Sequence, residues 1–209
     1  MALIGKTVPG ETPLTAQDLE VDLEGLKLPL VKTRAQLSAV EGPNIVSGKE
    51  WALASSKSRM PELLSIEYMQ ELHRRMLSDV WQWAGQIRST EVQNAFASSV
   101  PDIRSHLLGL HADAVEYWLK DVTMTGDEFA IRVHHRVVKV HPFRNGNGRH
   151  SRLLADLVLE KHFGLTPFTW GGNGQLGESD PNRQAYLDGL KAADKGNYGP
   201  LMRLCRSTG

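Results

Sequence analysis

Residues 141–152 read HPFRNGNGRHSR and gather two histidines, one of them opening the stretch, with two alternating glycines and three arginines. An imidazole titrates near neutrality, with an unperturbed pKa of ~6.5, so His141 can accept the proton of an attacking hydroxyl. Gly146 and Gly148 let the backbone turn tightly with no side chain over its amides, and the free N–H groups opening the next helix point into the same hollow. A nest of that kind attracts phosphate. Arg149 and Arg152 lie three apart on one helix face, and their planar forks suit phosphate oxygens. Phe143 reads as an apolar plug that fixes the loop to the core. A base, an anion nest and two forks around one volume point to chemistry on a phosphate-containing compound.

The elements around this loop are helical. Apolar residues recur at steps of three and four in PELLSIEYMQELHRRMLSDVWQWAG, through Ile66, Met69, Leu72, Met76 and Val80, and predict a helix ending near Gly85. Further helices are expected at about 101–120, 126–139, 149–163 and 181–194, with a short one over PLMRLCRS. RAQLSAVEGPNIVSGKEWALAS has helical spacing interrupted by Gly42 and Pro43, which predicts a kinked helix or two short ones. Residues 87–96, IRSTEVQNAF, are polar and partly alternating and read as a surface hairpin. The expected class is therefore all-α with a short β-hairpin flap. Residues 1–32, rich in Pro and Gly, form an arm packed on a single domain spanning 33–209, whose N-terminal helix lies around 34–55.

At 209 residues the chain is long enough for one full core. Lys plus Arg equals Asp plus Glu at 24 each, so no global field favours nucleic acid or an anionic membrane, and no basic recognition helix stands out. The lone Cys205 cannot form an internal disulfide, and no stretch is apolar and long enough for a signal peptide or membrane span. A cytoplasmic setting is expected. His134 and His135 are adjacent and point to different faces, with no Cys or carboxylate completing a zinc spacing. Trp81, Trp83 and Trp170 read as core, and Arg132, Arg136 and Lys139 as a helical stripe facing either solvent or an acidic partner.

The signature His141, Pro142, Phe143, Arg144, Asn145, Gly146, Asn147, Gly148, Arg149 and Arg152 resembles HPFx(D/E)GNGRxxR of the Fic proteins, relatives of the Doc toxins. FAIRVHHRVVKVHPF, SRLLADLVLEKHFGLTPFTW and WAGQIRS also look like Fic segments, and from about Thr33 to Arg206 the chain is most similar to the branch called mobile mystery protein B. The resemblance implies an all-helical Fic fold and transfer of AMP from ATP to a Ser, Thr or Tyr hydroxyl of a target protein. It also implies a toxin-like bacterial protein of a mobile element.

Carried over by position, the resemblance makes His141 the general base. Gly146, Asn147 and Gly148 become the anion hole, Asn147 contributing its side chain, with Arg149 on the phosphates and Arg152 on the γ phosphate. Ile87, Arg88, Ser89, Thr90, Glu91 and Val92 begin the flap that pins a target segment through backbone hydrogen bonds. The family usually holds Mg²⁺ with an acidic residue where this chain has Asn145, a neutral and weaker ligand for a hard cation. In LSAVEGPN, Glu41 precedes Gly42 as in the family's inhibitory helix, whose glutamate pairs with the second signature arginine, here Arg152. Leu37 replaces the usual Ser/Thr and Pro43 follows at once, so a solvent-facing Glu41 is the competing reading. A restraining antitoxin-like partner and a homo-oligomer are left open, as are a quiet nucleotide- or partner-binding protein, another phosphate-containing donor, and AMP removal.

Overall fold

The computed structural model describes residues 25–56, 59–92, 97–172 and 182–208. Most of the expected arm, residues 1–24, lies outside the described residues. The chain divides into two compact units, Met1–Ala54 with Gln70–Ile87 and Ser55–Met69 with Arg88–Gly209. The expected single domain of 33–209 is thus drawn partly from each.

In the first unit, helix α1 (Arg34–Ala54) runs unbroken through Pro43. Of the two expected outcomes, a kinked helix or two short ones, the second does not occur, although proline removes a helical hydrogen bond. Asn44 anchors the next turn: its Oδ1 accepts from the Asp79 N–H at 3.1 Å, and its Nδ2 donates to the Arg75 carbonyl at 3.3 Å. Helix α2 (Met60–Leu63) is a single turn with proline in its opening positions, where the missing N–H is harmless. Helix α3 (Ile66–Leu77) supplies its first turn to the second unit and the remainder to the first. It stops eight residues short of Gly85 because tertiary partners capture the backbone beyond it. Lys27 N–H donates to the Val80 carbonyl at 2.9 Å, Gln82 N–H donates to the Gly25 carbonyl at 2.8 Å, and Leu26 bridges Trp81. That isolated bridge is the only β pairing among the described residues. Trp81 and Trp83 stack beneath it, 1% and 4% exposed.

The second unit is a helical assembly around one core. A 3₁₀ turn at Val100–Asp102 leads into α4 (Ile103–Ala112), which continues through a π turn to Tyr117 and a 3₁₀ turn to Lys120. Helix α5 (Gly126–Val140) opens with a capping arrangement, Thr125 accepting from the Glu128 N–H at 3.1 Å. It buries Phe129, Ile131, Val133, His134 and Val137 and packs beside α6 (Asn147–Leu157), whose π-helical continuation ends at Phe163. Helix α7 (Arg183–Ala193) pairs with α8 (Gly199–Arg206). Phe129 is wedged between the edges of Trp118 and Phe163, and Arg206 is ion-paired with Asp127 while lying over Phe168. Among the described residues no helix is long and apolar enough to cross a membrane.

The hairpin expected over residues 87–96 is not a strand pair at its described residues 87–92; residues 93–96 lie outside the described residues. The neck of that loop is closed instead by the buried side chain of Arg88.

Candidate active site

Helix α5 ends at His141, which takes the left-handed conformation at φ 52° and ψ 58° while its N–H still donates to the Val137 carbonyl at 3.0 Å. A residue with a Cβ holds that conformation at a cost of about 1–3 kcal/mol, so the surroundings must enforce it. The His141 ring Nδ1 lies 3.2 Å from the Val138 carbonyl. A carbonyl only accepts, so Nδ1 carries the hydrogen and Nε2 carries the lone pair of the neutral ring. Burial lowers the His141 pKa below its ordinary value; the Val138 hydrogen bond opposes this and the Arg88 charge adds to it. At neutral pH His141 therefore stands in its base form.

The loop after His141 is fastened from inside. Phe143 is 1% exposed, edge-on to the buried His150 ring at 5.0 Å, and His150 Nε2 donates to the Met69 carbonyl at 3.0 Å. Asn147 Oδ1 accepts from the Phe143 N–H at 2.9 Å and its Nδ2 donates to the Phe143 carbonyl at 2.8 Å. The expected phosphate contact from the Asn147 side chain is corrected by this geometry. A carboxamide matches the donor and acceptor of one backbone residue, and here that pairing buries Asn147 at 2% exposure. Gly146 turns the chain at φ 76°, a conformation glycine reaches without strain, and begins α6. The α6 N-terminus is left as the anion-attracting feature, with Arg149 and Arg152 half-buried on it.

Arg152 curls back toward that N-terminus, its Nη1 lying 3.6 Å from where a Cβ on Gly148 would stand. Burial lowers the Arg152 pKa, and the positive charges of Arg149 and Arg183 push the same way, while Tyr186 and Asp156 oppose them. Arg149 and Arg183 thus lie close enough for their charges to act on Arg152. His141, Gly148 and Arg183 line a cavity of about 670 Å³, bounded by Val138 and Lys139 of α5 and by Tyr186, Leu187 and Leu190 of α7. Tyr186 is raised to about 12 by burial, and its hydroxyl meets His134 Nε2 at 3.0 Å.

The reading of the motif thus brings His141, Gly148 and Arg152 together and overlooks Arg183 and the α7 wall. A cation opening an amphipathic helix was the available signal, but only tertiary packing carries it to residue 148. His134 and His135 form no metal group, and none of three or more such ligands occurs among the described residues. His135 and Lys139 both bond Asp194, Arg132 pairs with Glu128 and Arg136 with Asp113, so the basic stripe is matched by acids of its own unit.

Among the flap residues Ser89, Thr90 and Glu91 are exposed, Ile87 and Val92 are half-buried, and Arg88 is buried. The Arg88 side chain is 0% exposed. In the first unit Glu41 is 4% exposed and its Oε1 accepts from the Trp81 indole at 2.7 Å, so the solvent-facing reading of Glu41 is corrected. Asn145 Oδ1 accepts from the Gly146 N–H.

A sequence model of the Fic/DOC family matches residues 63–159, the segment that carries the base, the turn and both arginines. The chain is 32% identical over 199 residues to the protein adenylyltransferase fic-1 of Caenorhabditis briggsae, covering 88% of this chain and 37% of that protein. It is 31% identical to the protein adenylyltransferase Fic of Nematostella vectensis, 87% of this chain against 43% of the relative. The chain therefore spans about two fifths of the length of the curated relatives it matches. Among solved structures, Fic-1 from C. elegans superposes with a TM-score of 0.59 at 30% identity, covering 88% of this chain and 56% of that one. The Bartonella tribocorum BepC protein with bound AMPPNP shares the fold, with a TM-score of 0.63 at 17% identity over 90% of this chain and 96% of that one. With the family match lying on the segment that carries the base, the turn and both arginines, and with that fold around it, the chain is a Fic-domain protein of the Fic/DOC family.

Proposed function

We propose that the chain transfers AMP from ATP to a hydroxyl side chain of a target protein. The observation that carries this reading is His141: a neutral imidazole, oriented by its Nδ1–H on the Val138 carbonyl, at the edge of a cavity that Gly148 and Arg183 also line. Binding a nucleotide alone needs no such base. In the reaction the target oxygen attacks the α phosphorus, its proton passes to His141 Nε2, the bond from that phosphorus to the β-phosphate oxygen breaks, and pyrophosphate leaves. The α6 N-terminus with Arg149, Arg152 and Arg183 holds the phosphates and stabilises the charge that grows on them. The adenylyltransferase names of the relatives and the AMPPNP of the BepC structure support the same donor.

The residues at the loop do not make a resident Mg²⁺ site. Asn145 offers one neutral oxygen that already accepts from Gly146, and no carboxylate stands at that position. Magnesium therefore enters as part of the substrate, held by the phosphates of ATP. The neutral Asn145 favours a second reading, nucleotide binding without turnover. Glu41, whose buried carboxylate accepts from Trp81 within its own unit, is proposed as a restraint on this activity.

Labelled ATP separates these readings. With a bacterial lysate as the source of targets, label on the α phosphate is expected to appear on protein, label on the γ phosphate is not, and Glu41→Gly strengthens the signal. Bound ATP with no label on any protein selects the binding reading.

A further inference from the structure

We infer that Arg88 is a positioning residue for the reaction: one buried guanidinium fixes the backbone of His141 and the neck of the flap together. The inference rests on the proposed AMP transfer, in which base and target hydroxyl must meet at one phosphorus. Arg88 Nε donates to the His141 carbonyl at 2.8 Å, and the Arg88 N–H donates to the Pro142 carbonyl at 2.9 Å. Two successive carbonyls of the loop are held by one residue, at the point where His141 adopts its left-handed backbone. The other arm of the fork reaches the flap. Its Nη1 donates to the Thr90 carbonyl at 3.1 Å and faces Glu91 at 3.3 Å, and its Nη2 donates to the Ser98 carbonyl. Glu91 in turn accepts from the Val100 N–H at 2.8 Å, and Ser98 N–H donates to the Lys139 carbonyl at 3.2 Å.

The chemistry of this arrangement is specific to arginine. The partners are backbone carbonyls diverging from one plane, which a guanidinium spans at once and a compact ammonium does not. Among the described residues the one carboxylate it meets, Glu91, is 64% exposed, so a buried charge is satisfied chiefly by oriented carbonyls. A residue needed only to fill space at 0% exposure would be apolar. The flap is expected to hold the target by its backbone, so the distance from target hydroxyl to His141 Nε2 is set through Arg88. Misplacement of reacting groups by about 1 Å costs on the order of 100-fold in rate.

The test uses the full chain with Arg88→Lys and Arg88→Gln. ATP affinity is measured by calorimetry, AMP transfer by single-turnover mass spectrometry, and the His141 tautomer by long-range proton–nitrogen NMR. The expected result is unchanged ATP affinity, transfer lower by about 100-fold in both variants, and loss of the single Nδ1–H tautomer. Wild-type transfer by Arg88→Lys, retention of that tautomer in both variants, or ATP affinity and transfer falling in parallel with the melting temperature would overturn it. Should neither variant fold, hydrogen exchange at the wild-type Arg88 Nε–H decides. Protection equal to that of the α5 core amides supports the clamp, and exchange at the solvent rate refutes it. If the wild type transfers nothing, the proposed function fails, while the tautomer and exchange readings still judge Arg88.

Discussion

At the scale of single residues, chemistry and architecture divide between neighbours in the signature. His141 turns its lone pair outward because Nδ1 is tied to Val138, whereas Asn147 turns inward and closes the loop on Phe143. Asn147→Leu leaves two buried backbone groups of Phe143 without partners, and a loss of about 3 kcal/mol in urea unfolding is expected. Because burial lowers the His141 pKa from its ordinary 6.5, the transfer rate rises with pH through a midpoint under that value. Arg88→Gln removes a charge that depresses this pKa, so the midpoint moves up in the residual activity. A pH–rate profile of both proteins checks the position and the direction. Asn145→Asp supplies the missing carboxylate, and transfer is expected to saturate at a lower Mg²⁺ concentration than in the wild type, read from a metal titration.

At the scale of elements, the helices were legible and the partners of their ends were not. Turns of apolar residues in 100–120, 126–140, 147–163 and 183–193 marked each helix because one face of each is buried, and periodicity reports burial. The end of α3 was misread because Asn44, Gly25 and Lys27, distant in sequence, take the backbone groups of residues 79–82. The loop chemistry was read from its glycines and arginines. The burial of Arg88 and the reach of Arg183 were not, since nothing in IRS or NRQ says which way a guanidinium points. Helix α7 forms the far wall of the cavity and is held close to α8 at Gly189, where an added Cβ would stand 3.2 Å from the Leu201 Cα. Gly189→Val should therefore push α7 outward and destabilise by about 1–3 kcal/mol. Weaker ATP binding is expected to accompany the lower melting temperature in calorimetry, because α7 supplies Arg183 and Tyr186 to the cavity.

At the scale of the molecule, a neutral chain concentrates positive charge at one loop and stores neutral imidazoles beneath it. His134 and His150 are fully buried, and desolvation lowers them to about 3 and about 4. Their folded values lie below the unfolded ~6.5, so the stability they contribute is complete above pH 6.5 and is lost as pH falls toward the folded values. With two protons taken up on unfolding, the slope reaches about 2.7 kcal/mol per pH unit between those limits. Urea midpoints measured from pH 7 to pH 4.5 should fall steeply, and replacing His150 by Gln should flatten the slope by about half. His150 packs against Phe143 of the loop and His134 against Tyr186 of the cavity wall, so acid loosens the site as well as the core. The central proposal is that His141 is the base of an AMP transfer. The most direct measurement is intact-protein mass spectrometry of Glu41→Gly and Glu41→Gly/His141→Ala after incubation with MgATP and a modifiable target, with ATP affinity recorded in parallel. The account predicts an added AMP in the first protein's reaction and none in the second's, at equal ATP affinity. Equal transfer with and without His141 would contradict it, as would tight ATP binding with no transfer by either.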